Sequence, residues 1–179
     1  MGIGPTQIDT VLGVYKAYNT RVGNGPMPTE LFDETGTLLR EGGPRPEYGS
    51  TTGRPRRCGW FDGVAARYSA RINGITAAAL TRLDVLDALP SIKVCTGYEL
   101  DGRVLDTMPA SSTAMARVQP VYEQLSGWRK DTSGCRRFGD LPSEARSYVE
   151  YIESILGAKM RIVSVGPERE QAISLKGLL

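Results

Sequence analysis

An α/β layer architecture is predicted by three observations. Helical and strand-like patterns alternate along the chain; one apolar run, ITAAAL at 75–80, ends abruptly in charge; residues 140–157 carry one continuous apolar helical face. Taken in order, TQIDTVLGVYKAY at 6–18 places apolar side chains at 8, 11, 12, 15 and 18, a helical spacing. NTRVGNGPMPTEL at 19–31 is dense in Gly and Pro and reads as an irregular connection. TELFDETGTLLRE at 29–41 predicts a short helix, a turn at Gly36, and then more helix or extended chain. A second Gly/Pro/Arg loop follows at 41–57. From Trp60 to Asn73 the pattern predicts a helix with Phe61, Val64, Ala65, Tyr68 and Ile72 on one face. GITAAALTRLDVLDALP predicts a buried strand whose C-terminal end meets solvent, and IKVCTGYELDGRVLDTMPA alternates about Asp101-Gly102 as a hairpin does. Residues 111–139 are hard to read, and VQPVYEQLSGW fits strand or loop. DLPSEARSYVEYIESILG is the clearest helix. Pro142 lies in its first turn, Ala145, Tyr148, Val149, Ile152, Ile155 and Leu156 form its apolar face, and Gly157 stands past its end. MRIVSVGPERE predicts a short strand entering a Gly-Pro turn.

The 179 residues suffice for one domain with a substantial core. A formal net charge of +2 argues neither for nucleic acid nor for a membrane surface, and the positive charge is instead local. It gathers at Arg54, Arg56 and Arg57 and again at Arg129, Lys130, Arg136 and Arg137. Three widely spaced cysteines, Cys58, Cys95 and Cys135, make no disulfide framework, and with no histidine they make no Cys/His zinc site. The lack of histidine also removes the commonest general acid/base, leaving that work to a tuned carboxylate or lysine or to a residue outside the chain. No apolar stretch nears membrane-spanning length and the N-terminus lacks a signal pattern, so a soluble cytoplasmic protein is expected.

Two groups of residues carry chemistry. GSTTGRPRRCGWFD at 49–62 sets two threonines and a glycine beside three arginines. Backbone amides of such a turn, with Thr51 and Thr52, can hold a carboxylate. Arg54 and Arg56 alternate across Pro55, so extended geometry sends their guanidinium groups to opposite sides, toward two different anions. A flexible basic loop or an RNA-phosphate contact reads the same residues differently. Trp60 and Phe61 read as core anchors. Cys58 is either a thiol lowered by its arginine neighbours or a small filler. The second group is TRLD at 81–84, at the C-terminal end of a predicted strand, where open α/β sheets bind ligands. An aspartate there can accept from the N1–H and exocyclic amine of guanine, while the basic residue covers the base. SVG at 164–166 leaves another strand and has the small residues that let backbone approach the guanine oxygen. The bland alternative makes Asp84 a helix cap and Arg82 a solvated charge.

With these pieces in hand, the chain resembles the C-terminal part of the adenylosuccinate synthetase family. GVYKAYNTRVGNGPMPTEL, GSTTGRPRRCGWFD, LTRLDVLD, PVYEQLSGW and SVGPERE fall in the family's order and close to its spacing, over essentially all of residues 1–179. The resemblance implies part of a mostly parallel sheet with flanking helices and a β-hairpin, in a P-loop-related GTP-binding ligase. It implies that 49–57 is the aspartate loop, with Ser50, Thr51, Thr52, Gly53, Arg54, Pro55 and Arg56 closing over L-aspartate. Arg54 also reaches IMP, and Arg56 reaches GTP. Val22 lies against the IMP ribose. Arg82, Leu83 and Asp84 recognise guanine, and Ser164, Val165 and Gly166 complete that site from the backbone. Departures are few: Arg82 stands for a usual lysine, Ser50 for alanine, Asn19 for threonine, and REGGPRPEYGS is slightly longer than in some members.

The implied reaction joins L-aspartate to IMP at the expense of GTP, through 6-phosphoryl-IMP, giving adenylosuccinate for AMP biosynthesis. The family's phosphate loop with its aspartate base and lysine, its histidine acid, its Mg²⁺ ligands and its IMP-phosphate contacts lie in an N-terminal part that this sequence does not contain. No catalytic residue and no metal ligand is therefore expected in this chain. It is expected to be a truncated piece, inactive alone, of an enzyme that is a homodimer when complete. The alternatives are a stand-alone guanine-nucleotide-binding module, or half of a split enzyme whose N-terminal partner is separately encoded.

Overall fold

The computed structural model describes Gly2 and residues 4–175. Two mixed sheets and their helices form an α/β fold. The first sheet is ordered β1 (Leu12–Lys16), β5 (Ala77–Thr81), β9 (Lys159–Ser164), β10 (Ala172–Ser174), with β1, β5 and β9 parallel and β10 antiparallel to β9. The second is built on the long β6 (Ser91–Leu100). It pairs in parallel with β4 (Phe61–Asp62) and antiparallel with β7 (Arg103–Leu105) and β8 (Gln119–Ser126). A two-stranded antiparallel ribbon is formed by β2 (Asn19–Arg21) and β3 (Arg57–Gly59), between β1 and β4 in sequence.

β5 is Ala-Ala-Ala-Leu-Thr, buried on both faces as a central parallel strand must be. Helix α2 (Gly63–Ile72) packs on β6 and on α4 (Ser143–Leu156), which also covers β9. α4 follows the sequence closely: Pro142 precedes it, Ala145, Tyr148, Val149, Ile152 and Leu156 are buried, and Gly157 ends it in the left-handed region. Tyr148 donates from its hydroxyl to the Ala17 carbonyl at 2.5 Å, tying α4 to the end of β1. The hairpin turns at Asp101 and Gly102, both at positive φ, which suits the twist of the flanking strands. Trp60 and Phe61 are core residues, as the sequence suggests.

Three expectations are corrected. The helical spacing at 6–18 does not make a helix. Leu12–Lys16 is an edge strand paired with β5, and the ladder overrides a coincident 3.6-residue period. Gly36 is no turn: it sits in the first turn of α1 (Glu34–Glu41), where its N–H donates to the Asp33 capping carboxylate. A Cβ there would meet the Leu31 carbonyl oxygen at 2.4 Å, so the glycine serves close approach. In α2 the buried face is Gly63, Val64, Ala66 and Ala70, while Tyr68 and Ile72 are exposed. Small residues face inward because α4 crosses there, with Ile155 against Gly63. The strand-or-loop segment at 118–128 resolves as β8. No helix among the described residues is long and apolar enough to cross a membrane.

Candidate nucleotide and carboxylate site

The parallel register of the first sheet sets the site. Lys16 of β1 lies beside Thr81 of β5, and Leu80 beside Val163 of β9, so three strands end on one edge. That edge gathers Lys16–Tyr18, the 81–84 segment and the 164–166 segment. It is where open α/β sheets place ligands.

At the end of β5 the chain turns through Arg82, whose φ of 65° and ψ of 32° are left-handed, into a short 3-10 turn at Leu83–Leu86. A non-glycine residue in that region is uncommon and gathers at functional turns. Leu83 is fully buried. Asp84 is half-buried, and its Oδ1 is buried without a hydrogen-bond partner. Burial pushes the Asp84 carboxyl above the usual aspartate range, against the opposing charge of Arg82. Asp84 therefore caps nothing through Oδ1 and is an acceptor in want of donors. The Arg82 guanidinium is held inward. It donates to Tyr18 Oη at 3.2 Å, the Arg45 carbonyl at 2.7 Å and the Gly42 carbonyl at 3.3 Å, and lies 3.6 Å from Glu47. It is not a solvated charge.

Beyond β9, the Ser164 hydroxyl donates to the Gly166 carbonyl at 2.8 Å, and the Val165 N–H donates to the Gln171 carbonyl at 2.9 Å. Val165 itself is buried. Gly166 lies so close to the Gln171 side chain that a Cβ would come within 2.2 Å of it. Gln171 in turn donates to the Ser133 carbonyl and accepts from the Glu168 N–H, fixing the turn.

The 49–57 loop closes on itself. The Gly49 N–H donates to the Arg54 carbonyl and the Gly53 N–H to the Gly49 carbonyl, each at 2.8 Å. Ser50, Thr51, Thr52, Gly53, Arg54 and Pro55 are all exposed. The Thr52 hydroxyl accepts from the Arg54 N–H, and the Arg54 guanidinium has no partner among the described residues. Arg56 is engaged within the chain. Its Nη1 reaches Glu47 Oε2 at 3.1 Å, while its Nε is buried with no partner. Arg57 is spoken for: it forks onto both carboxylate oxygens of Glu30 and donates to the Gly23 and Gly25 carbonyls. Cys58 is fully buried and burial pushes its thiol up, so the lowered-thiol alternative fails and the residue is a filler. Val22, just past β2, is 70% exposed and the structure does not join it to the sheet edge.

Glu47 is the residue that sequence reasoning missed. It is 4% exposed, and it accepts from Lys16 Nζ and Tyr18 Oη at 2.8 Å each as well as from Arg56. Burial alone would raise its carboxyl. Hydrogen bonds from Lys16 and Tyr18 and the charges of Lys16 and Arg82 instead hold it below the usual glutamate range. Lys16 and Tyr18 lie inside GVYKAY, so the segment was visible but its role was not.

This arrangement has known relatives. A family model described as adenylosuccinate synthetase matches residues 1–173. The chain belongs to the adenylosuccinate synthetase family. It is 56% identical over 175 residues to the adenylosuccinate synthetase of Thermoanaerobacter sp. (strain X514), covering 98% of this chain and 41% of that one. It is 57% identical over 178 residues to that of Mycobacterium tuberculosis (strain ATCC 25618 / H37Rv), covering 99% and 41%. The fold superposes on the structure of fully ligated adenylosuccinate synthetase from Plasmodium falciparum with a TM-score of 0.92 and 41% identity, covering 98% of this chain and 42% of that one. The chain thus spans about two-fifths of the length of the synthetases it matches.

Proposed function

We propose that this chain is the C-terminal part of a cytoplasmic, homodimeric ligase that joins L-aspartate to IMP at the expense of GTP, yielding adenylosuccinate in AMP biosynthesis. The observation that carries the reading is Asp84: a carboxylate oxygen, buried and unpartnered, at the carboxyl end of a central parallel strand. Guanine offers it the N1–H and the exocyclic amine, a donor pair that adenine lacks. Leu83 contributes backbone, and Ser164, Val165 and Gly166 close the far side of the base on the neighbouring strand. Arg82 flanks the base while its head group ties 81–84 to the 42–47 segment.

Ser50, Thr51, Thr52 and Gly53 supply hydroxyls and amides to the carboxylates of L-aspartate. Arg54, exposed and without an internal partner, holds the amino acid against IMP, with Val22 on the ribose. Arg56, held by Glu47, is assigned to GTP. In the first chemical step IMP loses its N1 proton while O6 attacks the γ-phosphate of GTP. In the second, the α-amine of aspartate displaces phosphate from C6. The chain's arginines position the reactants and offset charge that develops in both steps. The base, the acid and the phosphate loop are assigned to the rest of the enzyme; the sequence has no histidine to serve as the acid. Among the described residues no group of three or more acidic, cysteine or histidine side chains is placed to hold a metal ion. The Mg²⁺ ligands are likewise assigned elsewhere in the enzyme.

Asp84→Asn in the intact ligase tests the reading. The amide N–H2 should donate to the C2 oxygen of xanthine, raising the ratio of kcat/KM for XTP over GTP by about 100-fold or more. An unchanged ratio means Asp84 does not read the base.

A further inference from the structure

Two segments far apart in sequence, 49–57 and 81–84, share one buried carboxylate. Glu47 Oε2 takes Arg56 Nη1 at 3.1 Å, and Glu47 Oε1 takes Lys16 Nζ and Tyr18 Oη at 2.8 Å and lies 3.6 Å from Arg82 Nη2. The backbone repeats the link: the Glu47 N–H donates to the Arg40 carbonyl, and the Glu47 carbonyl accepts from the Arg56 N–H at the base of the loop. The partners differ in how completely they are satisfied. Arg82 spends Nε, Nη1 and Nη2 on Tyr18, Arg45 and Gly42, so it is fixed. Arg56 leaves its Nε buried and unmatched, so its placement depends on Glu47. Three cations lie within 4 Å of this one anion, and only its charge lets them sit together.

We propose that Glu47 is a positioning residue that couples the guanine segment to the carboxylate loop, so that a nucleotide seated on Arg82 and Asp84 sets Arg56 and tightens the grip of the loop on its dicarboxylic acid. Glu47 is too buried to touch either ligand and acts through the two arginines. The inference rests on the proposed ligation of aspartate to IMP. Lys16 anchors the same oxygen to the end of β1, which keeps the carboxylate from following Arg56 outward.

The test is initial-rate kinetics of the intact ligase at saturating IMP, over a grid of GTP and L-aspartate concentrations. In the unaltered enzyme, the aspartate KM should fall at least about fivefold between low and saturating GTP, the lower range of two-site coupling. In Glu47→Gln, which keeps the shape and removes the charge, that factor should shrink to within about twofold of one, with a smaller change in kcat at saturation. A purely structural Glu47 would lower melting temperature and active fraction but leave the GTP dependence of the aspartate KM intact, and that result overturns the proposal. An unaltered enzyme with no GTP dependence overturns it equally. Failure of the unaltered enzyme to form adenylosuccinate sinks instead the functional reading beneath it. Should Glu47→Gln lose its cooperative melt, Tyr18→Phe replaces it, removing one bond to Oε1 and one from Arg82 while keeping the ring. It should lower the coupling factor, and an unchanged factor overturns the proposal.

Discussion

Arg54, Arg56 and Arg57 stand within four residues, yet each has a different electrostatic setting. Arg57 pairs with Glu30, Arg56 shares Glu47 with Lys16 and Arg82, and Arg54 has no anion among the described residues. Much of the charge crowding is thus relieved inside the chain, and Arg54 is the arginine proposed to meet a ligand. Arg54→Leu in the intact ligase should raise the aspartate KM about 10- to 100-fold, the loss of a charge-assisted contact, with melting temperature unchanged. Arg57→Leu should do the reverse, costing about 1–3 kcal/mol of stability because Glu30 and two carbonyls lose their donor. Urea unfolding of the two variants beside their kinetics separates these cases. Asp84 adds a pH signature. Its folded pKa is raised by burial, so its ionised form disfavours the fold above that pKa, and the penalty fades as pH falls toward the unfolded value near ~3.9. Asp84→Asn should therefore melt higher than the unaltered enzyme at pH 7, with the gap closing on acidification. Glu47 has the opposite sign: its lowered pKa stabilises the fold at neutral pH, and that contribution is lost as pH falls through the folded value.

At the level of elements, α1 turns on one glycine. Alanine is the better helix former, yet Gly36→Ala would drive a Cβ to 2.4 Å from the Leu31 carbonyl. Denaturant unfolding should register a loss of about 1–3 kcal/mol rather than a gain. That reversal illustrates what the sequence withholds. β5, α4 and the 101–102 hairpin are legible because each signal is local: an apolar run, a capped amphipathic face, two turn residues. β1 is not, because its apolar residues satisfy a helical period by coincidence and only the partner at 77–81 selects the strand. In α2 the large residues suggested the buried face, but the helix presents alanines inward because another helix crosses closely. The proposed site divides the same way. TRLD and SVG can be read because strand ends attract ligands, and Arg54 and Arg56 because charge clusters. Glu47 is one acidic residue in a Gly/Pro/Arg loop, and its partners at 16, 56 and 82 converge only after folding.

For the molecule as a whole, β1 lies at the edge of the first sheet among the described strands, with Val14 69% and Leu12 39% exposed. An uncovered apolar edge strand is a template for pairing. Expressed by itself, the chain should self-associate, and Val14→Lys should raise the monomer fraction measured by size-exclusion chromatography. The segments proposed to recognise guanine leave the ends of β5 and β9, neighbours in the sheet, while the exposed tip at Asp101–Gly102 lies between them in sequence and in the other sheet. A polypeptide cut at that tip would carry half of the proposed base-recognition surface on each piece. Neither piece alone could hold the nucleotide, and their reunion would restore it, so nucleotide capture would report directly on whether two separately made fragments had found each other.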